Sequence, residues 1–89
     1  MIDLLVIYIY ANWCEICPLY NEKFKDLMNT YNTNNTLLIP ENIDNSIFQD
    51  YKEFNVNVVP TFLLFKKGDI KPFKKIEGNI SELEKFLKK

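Results

Sequence analysis

The chain has 89 residues, of which 47% are hydrophobic, and 11 basic and 12 acidic side chains leave a net charge of −1. This length suits one small domain over residues 1–89, and the interleaved charges lack the basic stripe of a nucleic-acid-binding protein. The absence of histidine excludes histidine metal ligands and both Ser-His and Cys-His catalysis.

The first predicted element is a strand over Asp3–Tyr10, which is almost continuously apolar, β-branched and aromatic. Such runs are typical of central strands that are covered on both faces. The run is too short to span a bilayer, and no basic residue precedes it as in an export signal. We therefore expect a protein that works in the cytoplasm without attachment to a membrane.

Two cysteines follow this strand, Cys14 and Cys17, and the chain has no others. Where thiols stay reduced, a Cys-x-x-Cys pair favours catalysis or metal binding over a structural disulfide. Tetrahedral zinc takes four Cys or His ligands, and this chain has two thiols and no imidazole. We therefore expect no metal and no cofactor beyond a redox-active pair. A metal site shared between two chains, or an iron–sulfur cluster with outside thiols, is the remaining alternative.

An amphipathic helix follows the cysteines, because apolar residues recur there at helical spacing. These residues are Tyr20, Phe24, Leu27 and Tyr31. Thr36–Glu41 is a second strand, and Pro40 predicts a position at the sheet edge because proline cannot donate to a ladder. Ser46 and Gln49 then have the spacing of a capping box for a short helix that extends to Phe54.

The last part of the chain predicts a hairpin and a closing helix. Thr61–Lys66 is a buried third strand, a turn surrounds Gly68, and Pro72–Glu77 is a fourth strand antiparallel to the third. Ser81 and Glu84 predict a second capping box at the start of the final helix. The order is β-α-β-α-β-β-α, which gives an α/β fold with a four-stranded mixed sheet flanked by helices.

Two motifs give the chain a resemblance to the thioredoxin family from about Leu4 to the C-terminus. Trp13–Cys17 reads WCxxC after a buried strand, and Val59–Thr61 precedes an apolar strand and is similar to the family's cis-proline loop. The resemblance implies a thioredoxin-like fold and a thiol–disulfide oxidoreductase active in electron transport and redox homeostasis. Ordinary thioredoxins have a further N-terminal strand and helix, for which this chain has no room.

The sequence departs from that family around the two cysteines. Glu15 and Ile16 stand between them, where thioredoxins typically have Gly-Pro. Tyr8 replaces the family's buried acid, and the lysine that accompanies this acid maps near Pro40. The usual proton acceptor for Cys17 is therefore missing. Tyr8 is either a core aromatic residue or a hydroxyl that helps proton transfer at Cys17.

The resemblance and helix electrostatics together suggest a role for each cysteine. The N-terminus of a helix stabilises a thiolate, so we assign Cys14, at the cap position, as the attacking nucleophile. Cys17 lies one turn further on and is the buried resolving thiol, while Pro18 suits the first helical turn. Glu15 opposes the effect of the helix N-terminus on Cys14, because a carboxylate near a thiolate disfavours the charged form.

The expected substrate surface consists of Trp13, Val59, Pro60 and Gly78. A substrate strand would pair with Val59 beside the nucleophile, and Trp13 would supply an apolar rim. Each residue also has a simpler interpretation. Trp13 could pack over the strand end, Pro60 could end a loop, and Gly78 could serve a plain turn.

The expected function is reduction of protein disulfides by a monomer that is itself reduced by glutathione or a thioredoxin-reductase-like enzyme. A glutathione-dependent, glutaredoxin-like enzyme fits less well, because glutaredoxins usually carry Pro-Tyr between the cysteines. A disulfide oxidase or isomerase is a further alternative. A binding module without turnover is the last, and it predicts binding that survives replacement of both cysteines.

Overall fold

The computed structural model describes residues 2–44, 56 and 58–88. The element order is β1 (Leu4–Tyr10), α1 (Cys17–Tyr31), β2 (Thr36–Asn42), β3 (Thr61–Lys66), β4 (Lys74–Glu77) and α2 (Ile80–Leu87). The short helix predicted between Ser46 and Phe54 lies outside the described residues. The other six predicted elements are present in the predicted order. Neither described helix is long and apolar enough to cross a membrane.

The described strands form one four-stranded sheet in the order β2-β1-β3-β4. β1 is parallel to β2 and antiparallel to β3, and β3 is antiparallel to β4. This mixed sheet confirms the predicted fold class, and β2 lies at an edge as Pro40 indicated. Ile9 lies opposite Thr61, so the end of β1 and the start of β3 meet at one pole of the sheet.

The core lies on both faces of β1 and β3, as their continuous apolar runs predicted. On one face, Tyr8 packs between Phe24 of α1 and Phe62 of β3, with ring centroids 4.9 and 5.2 Å from its own. On the other face, Ile9 and Leu63 belong to a second buried cluster. Because Tyr8 contacts both α1 and β3, this aromatic group fixes α1 against the sheet close to the cysteines.

The predicted capping box at the start of α2 is wrong. The N-cap is Asn79, whose Oδ1 accepts a hydrogen bond of 3.1 Å from the backbone N–H of Glu82. Ser81 and Glu84 therefore lie inside the helix. Two capping patterns overlap here, Asn79 with Glu82 and Ser81 with Glu84. Gly78 turns the chain just before Asn79 with a φ of 70°, so the helix begins at the earlier of the two.

β4 begins at Lys74, two residues later than predicted. Pro72 has no N–H to donate to the ladder, which shortens the strand at this end. The Phe73 N–H still donates to the Leu64 carbonyl at 2.8 Å, so pairing with β3 extends one residue beyond the assigned strand.

The chain itself closes the outer edge of β2 from Thr36 to Pro40. Alternate residues of a strand direct their backbone groups to the same side, and the side of β2 away from β1 carries those of Thr36, Leu38 and Pro40, with Asn42 following at the end of the strand. The Thr36 N–H donates to Thr33 Oγ1 at 3.2 Å. The Leu38 N–H donates to Asn32 Oδ1 at 2.7 Å, and Pro40 has no N–H. Thr36, Leu38 and Pro40 therefore offer no free donor to another strand.

Opening this edge is expected to make the protein associate with itself. An Asn32→Ala/Pro40→Val variant leaves two outward N–H groups of β2 unpaired, and such groups are how edge strands join one another. We expect more dimers and larger species than for the unmodified chain, measured by sedimentation velocity. Asn29→Ala/Thr30→Val adds the same two side chains on the exposed surface of α1, away from both sheet edges, and is the control. Equal sedimentation of the two variants would contradict the prediction.

Candidate active site

The two cysteines lie at the pole where β1 ends and β3 begins. They form a disulfide with their Cα atoms 5.4 Å apart. Cys14 is 9% exposed and Cys17 is 1% exposed, so Cys14 is the more accessible of the two. This asymmetry matches what one attacking thiol and one resolving thiol require.

Cys14 does not occupy the cap of α1, contrary to the sequence-based expectation. The N-cap is Ile16, and the helix begins at Cys17. If Cys14 were the N-cap, its carbonyl would accept the first helical hydrogen bond from the N–H of residue 18. Pro18 has no N–H to donate. The Cys14 N–H instead donates to the Ala11 carbonyl at 3.3 Å and closes a turn. Cys14 therefore lies two residues before the cap.

The loop before β3 brings a backbone carbonyl to the disulfide. The Val59–Pro60 peptide bond is cis, and the Val59 carbonyl oxygen lies 4.0 Å from Cys14 Sγ. Because the sulfur carries no hydrogen in the disulfide, this approach is a contact and not a hydrogen bond. The buried Thr61 hydroxyl donates to the Val58 carbonyl at 2.6 Å and anchors the loop at the start of β3.

Gly78 lies next to the same loop. Its N–H donates to the Pro60 carbonyl at 2.8 Å, and its carbonyl accepts from the Tyr20 hydroxyl at 2.8 Å. A Cβ at this position would meet nothing within 4 Å, but the φ of 70° is one that other residues rarely adopt. The backbone conformation accounts for glycine here, and a role in admitting substrate stays a prediction.

Trp13 is 66% exposed, so it is not a residue of the core. Its Nε1–H donates to Asp44 Oδ2 at 3.1 Å, which fixes the indole beside the disulfide. Sequence reasoning missed Asp44. The two partners are 31 residues apart, and a single aspartate after an edge strand carries no recognisable pattern.

Exposed apolar side chains lie next to the two cysteines and to Val59 along the chain. They are Trp13, Ile16, Leu19 and Val58. They come from the segment before α1, from its first turn and from the loop before β3. Apolar side chains grouped on a surface in this way are typical of a site that contacts another molecule.

Tyr8 and Asn21 meet beside the first turn of α1, next to the main chain of Cys17. The Tyr8 hydroxyl lies 2.6 Å from Asn21 Oδ1 and 3.3 Å from the main-chain carbonyl oxygen of Cys17. Tyr8 was singled out from the sequence and Asn21 was not. Asn21 sits one helical turn after Cys17, and nothing in its neighbours distinguishes it from the other asparagines of the chain.

The Tyr8 hydroxyl stays neutral at this site. Burial raises its pKa above the ordinary value of 10.0, and the nearby hydroxyls of Tyr10 and Tyr20 add to that rise. Of the two interpretations of Tyr8, the core aromatic is the one that agrees with its packing. Its ring is 1% exposed between two phenylalanines, and no carboxylate is buried among the described residues.

Glu15 is exposed between the two cysteines, and its charge is expected to oppose the Cys14 thiolate. Glu15→Gln should lower the pKa of the Cys14 thiol in the reduced protein, because a nearby carboxylate disfavours the thiolate. The pH dependence of the alkylation rate measures this shift. Glu22→Gln, on the exposed face of α1, is the control. An unchanged or higher pKa would contradict the prediction.

Comparison with known proteins identifies the same family across nearly the whole chain. The sequence profile of the Thioredoxin family matches residues 2–89. Thioredoxin Asp f 28 of Aspergillus fumigatus is 30% identical over 84 residues, which is 94% of this chain and 75% of that protein.

Solved structures give the same result. Oxidized mitochondrial thioredoxin 3 of Saccharomyces cerevisiae superposes with a TM-score of 0.80 at 34% identity, over 99% of this chain and 79% of that one. A chain from the complex of ferredoxin:thioredoxin reductase and thioredoxin f2 gives a TM-score of 0.74 at 28% identity, over 97% and 76%. With the Cys14–Cys17 disulfide, these matches make the protein a thiol–disulfide oxidoreductase, and the chain belongs to the thioredoxin family.

Proposed function

We propose that this protein reduces disulfide bonds in other proteins, with Cys14 as the nucleophile and Cys17 as the resolving thiol. The observation that carries the proposal is the position of Cys14. Cys14 is the more exposed of the two cysteines. Its sulfur lies 4.0 Å from the main-chain carbonyl oxygen of Val59, and exposed apolar side chains lie nearby along the chain. A protein substrate needs such a combination, because its backbone must align beside the attacking sulfur.

The reaction proceeds in two exchange steps. The Cys14 thiolate attacks one sulfur of the substrate disulfide, so that a mixed disulfide forms and the other substrate sulfur leaves as a thiolate. The Cys17 thiolate then attacks Cys14 Sγ, the Cys14–Cys17 bond forms, and the second substrate sulfur leaves. The substrate gains two electrons and two protons, and the protein is left in its disulfide form.

The substrate is proposed to bind as an extended strand along Val59, next to Cys14. Backbone pairing gives affinity that is independent of sequence, as in other cases of strand addition. Trp13, fixed by Asp44, forms the apolar rim of this site, and Pro60 and Gly78 form its floor. The bond from the Gly78 N–H to the Pro60 carbonyl supports this arrangement, because it holds the two residues together.

The proposed reductant is a thioredoxin-reductase-like enzyme, with glutathione as the alternative. Thioredoxin f2 has been solved in complex with ferredoxin:thioredoxin reductase, which supports a protein reductant for this chain as well. A monomer in the cytoplasm is the proposed working form. The outer edge of β2 supports the monomer, since it offers no free donor for strand pairing from Thr36 to Pro40.

The redox potential of the Cys14–Cys17 pair tests the direction of electron flow. We would equilibrate the protein with defined thiol buffers and follow the fluorescence of Trp13, the single tryptophan. A potential near about −250 mV or lower supports a reductant, whereas one above about −200 mV would make the protein an oxidase or isomerase.

The same preparation separates the remaining alternatives. A glutathione-dependent enzyme would turn over with glutathione as its reductant and would not need a thioredoxin-reductase-like partner. A binding module would keep its affinity for partners after both cysteines are replaced by serine. Turnover that depends on both cysteines and on a protein reductant is the result that the proposal requires.

A further inference from the structure

The hydrogen of the Tyr8 hydroxyl points to Asn21. A distance of 2.6 Å is typical of an O–H···O hydrogen bond and too short for an amide N–H donor, so the amide oxygen of Asn21 is the acceptor. A hydroxyl has one hydrogen, and the 3.3 Å distance to the Cys17 carbonyl is the longer of the two. Tyr8 is therefore held mainly by Asn21 and secondarily by Cys17.

This pair connects the sheet to the turn that carries Cys17. Tyr8 is rigid, because it belongs to β1 and packs against Phe24 and Phe62. Asn21 follows Cys17 by one turn of α1, so its bond to Tyr8 fixes the rotation and height of that turn relative to β1. Without Asn21 the hydroxyl has only the Cys17 carbonyl at 3.3 Å, and this longer hydrogen bond is weaker than the one that is lost.

We propose that Asn21 is a positioning residue for Cys17, and that through the Tyr8 hydroxyl it holds the Cys17 sulfur aligned on Cys14 Sγ for the resolving step. This inference rests on the proposed exchange mechanism. Asn21 touches neither sulfur, and it acts only through Tyr8 and the helix backbone. Its effect should therefore appear in the second exchange step and not in the first.

An equilibrium with glutathione separates the two steps. Alkylation and mass spectrometry resolve the dithiol, the mixed disulfide of Cys14 with glutathione, and the Cys14–Cys17 disulfide. The first constant relates the dithiol to the mixed disulfide and reports on Cys14. The second relates the mixed disulfide to the closed disulfide with release of glutathione, and it measures how well Cys17 is placed.

Asn21→Leu removes the acceptor and keeps a similar shape. Asn21 is exposed and lines a cleft of about 310 Å³, so the leucine has room. We expect the second constant to fall about three- to tenfold, the effect of one lost hydrogen bond, with the first unchanged within about twofold. Asn29→Leu, the same change at another exposed position of α1, should leave both constants unchanged.

Tyr8→Phe provides an independent variant that keeps the aromatic packing. It should lower the second constant to a similar extent, and adding Asn21→Leu to it should cause no further fall, because both changes remove one bond. A second constant within about twofold of the unmodified value for Asn21→Leu would overturn the proposal. Equal shifts in both constants, or additive effects in the double variant, would also overturn it.

The proposed function and this inference are tested independently of each other. The glutathione equilibrium needs no protein substrate, so it tests Asn21 whatever the substrate of the protein is. If the unmodified protein does not reduce the disulfides of insulin in the presence of dithiothreitol, the proposed function is wrong, and the two constants still report on the position of Cys17.

Discussion

Replacing Cys14 with serine is expected to lower the rate of protein-disulfide reduction by about a thousandfold or more, because it removes the nucleophile of the first step. A serine hydroxyl has almost no nucleophilic anion at neutral pH and cannot form a disulfide. The buried Cys17, 1% exposed, cannot reach a protein substrate in its place. Insulin reduction with dithiothreitol, followed by turbidity, measures the loss.

Cys17→Ser is the matched variant and distinguishes the two roles. It leaves the first step intact and removes the second, so a mixed disulfide between Cys14 and the substrate should accumulate to nearly one equivalent. Cys14→Ser should form no such adduct. Non-reducing electrophoresis and the mass of the product show which variant is trapped. An adduct on Cys17 in the Cys14→Ser variant would mean that the roles of the two cysteines are exchanged.

Strand positions could be predicted closely from the sequence. β3 has the bounds that its apolar run indicated, and β1 and β2 differ from the prediction by one residue at one end. Continuous apolar runs mark strands covered on both faces, and Pro40 marked the edge because proline cannot serve a central position. These signals are local and need no knowledge of the rest of the fold.

Helix starts were less predictable, because several residues compete to cap each one. At α2 the patterns beginning at Asn79 and Ser81 overlap, and the turn at Gly78 decides between them. At α1 the helical spacing indicated the helix but not its first residue. The missing N–H of Pro18 keeps Cys14 outside the helix, so its thiolate lies further from the helix terminus than the cap position would place it.

The hydrogen-bond partners of the site residues could not be predicted from the sequence. Cys14, Cys17 and the Val59–Pro60 loop were found because two motifs in the right order carry them. Asp44 and Asn21 were missed, since each is recruited only when folding brings it to Trp13 or Tyr8. Their function depends on tertiary distance, and no spacing along the chain encodes that distance.

The active site and the core share side chains. Tyr20 donates from α1 to the Gly78 carbonyl, and its ring stacks on Phe62 with centroids 6.5 Å apart. Tyr8 stacks on the same Phe62 and holds the Cys17 turn through Asn21. These two connections from α1 therefore converge on one phenylalanine of β3.

Phe62→Ala is accordingly expected to be the most destabilising single change among these residues. Phe62 is 0% exposed and contacts the rings of Tyr8, Tyr20 and Phe24. Truncation of a buried phenylalanine costs about 3–5 kcal/mol, and small domains are stable by only about 5–15 kcal/mol. We expect the midpoint of thermal unfolding to fall by about 15 °C or more, measured by circular dichroism.

Phe73→Ala is the control, because Phe73 also contacts an aromatic ring, that of Phe86, but is 38% exposed. Phe73→Ala should lower the free energy of unfolding by at most about half as much. Truncation there removes less buried apolar surface and leaves a smaller cavity. The reduced Phe62→Ala protein, cooled until it is folded, should also show a lower second constant in the glutathione equilibrium, because Tyr8 loses its support. Equal losses of stability at the two positions would contradict the central place of Phe62. A folded Phe62→Ala variant with an unchanged second constant would show that Tyr8 is held without it.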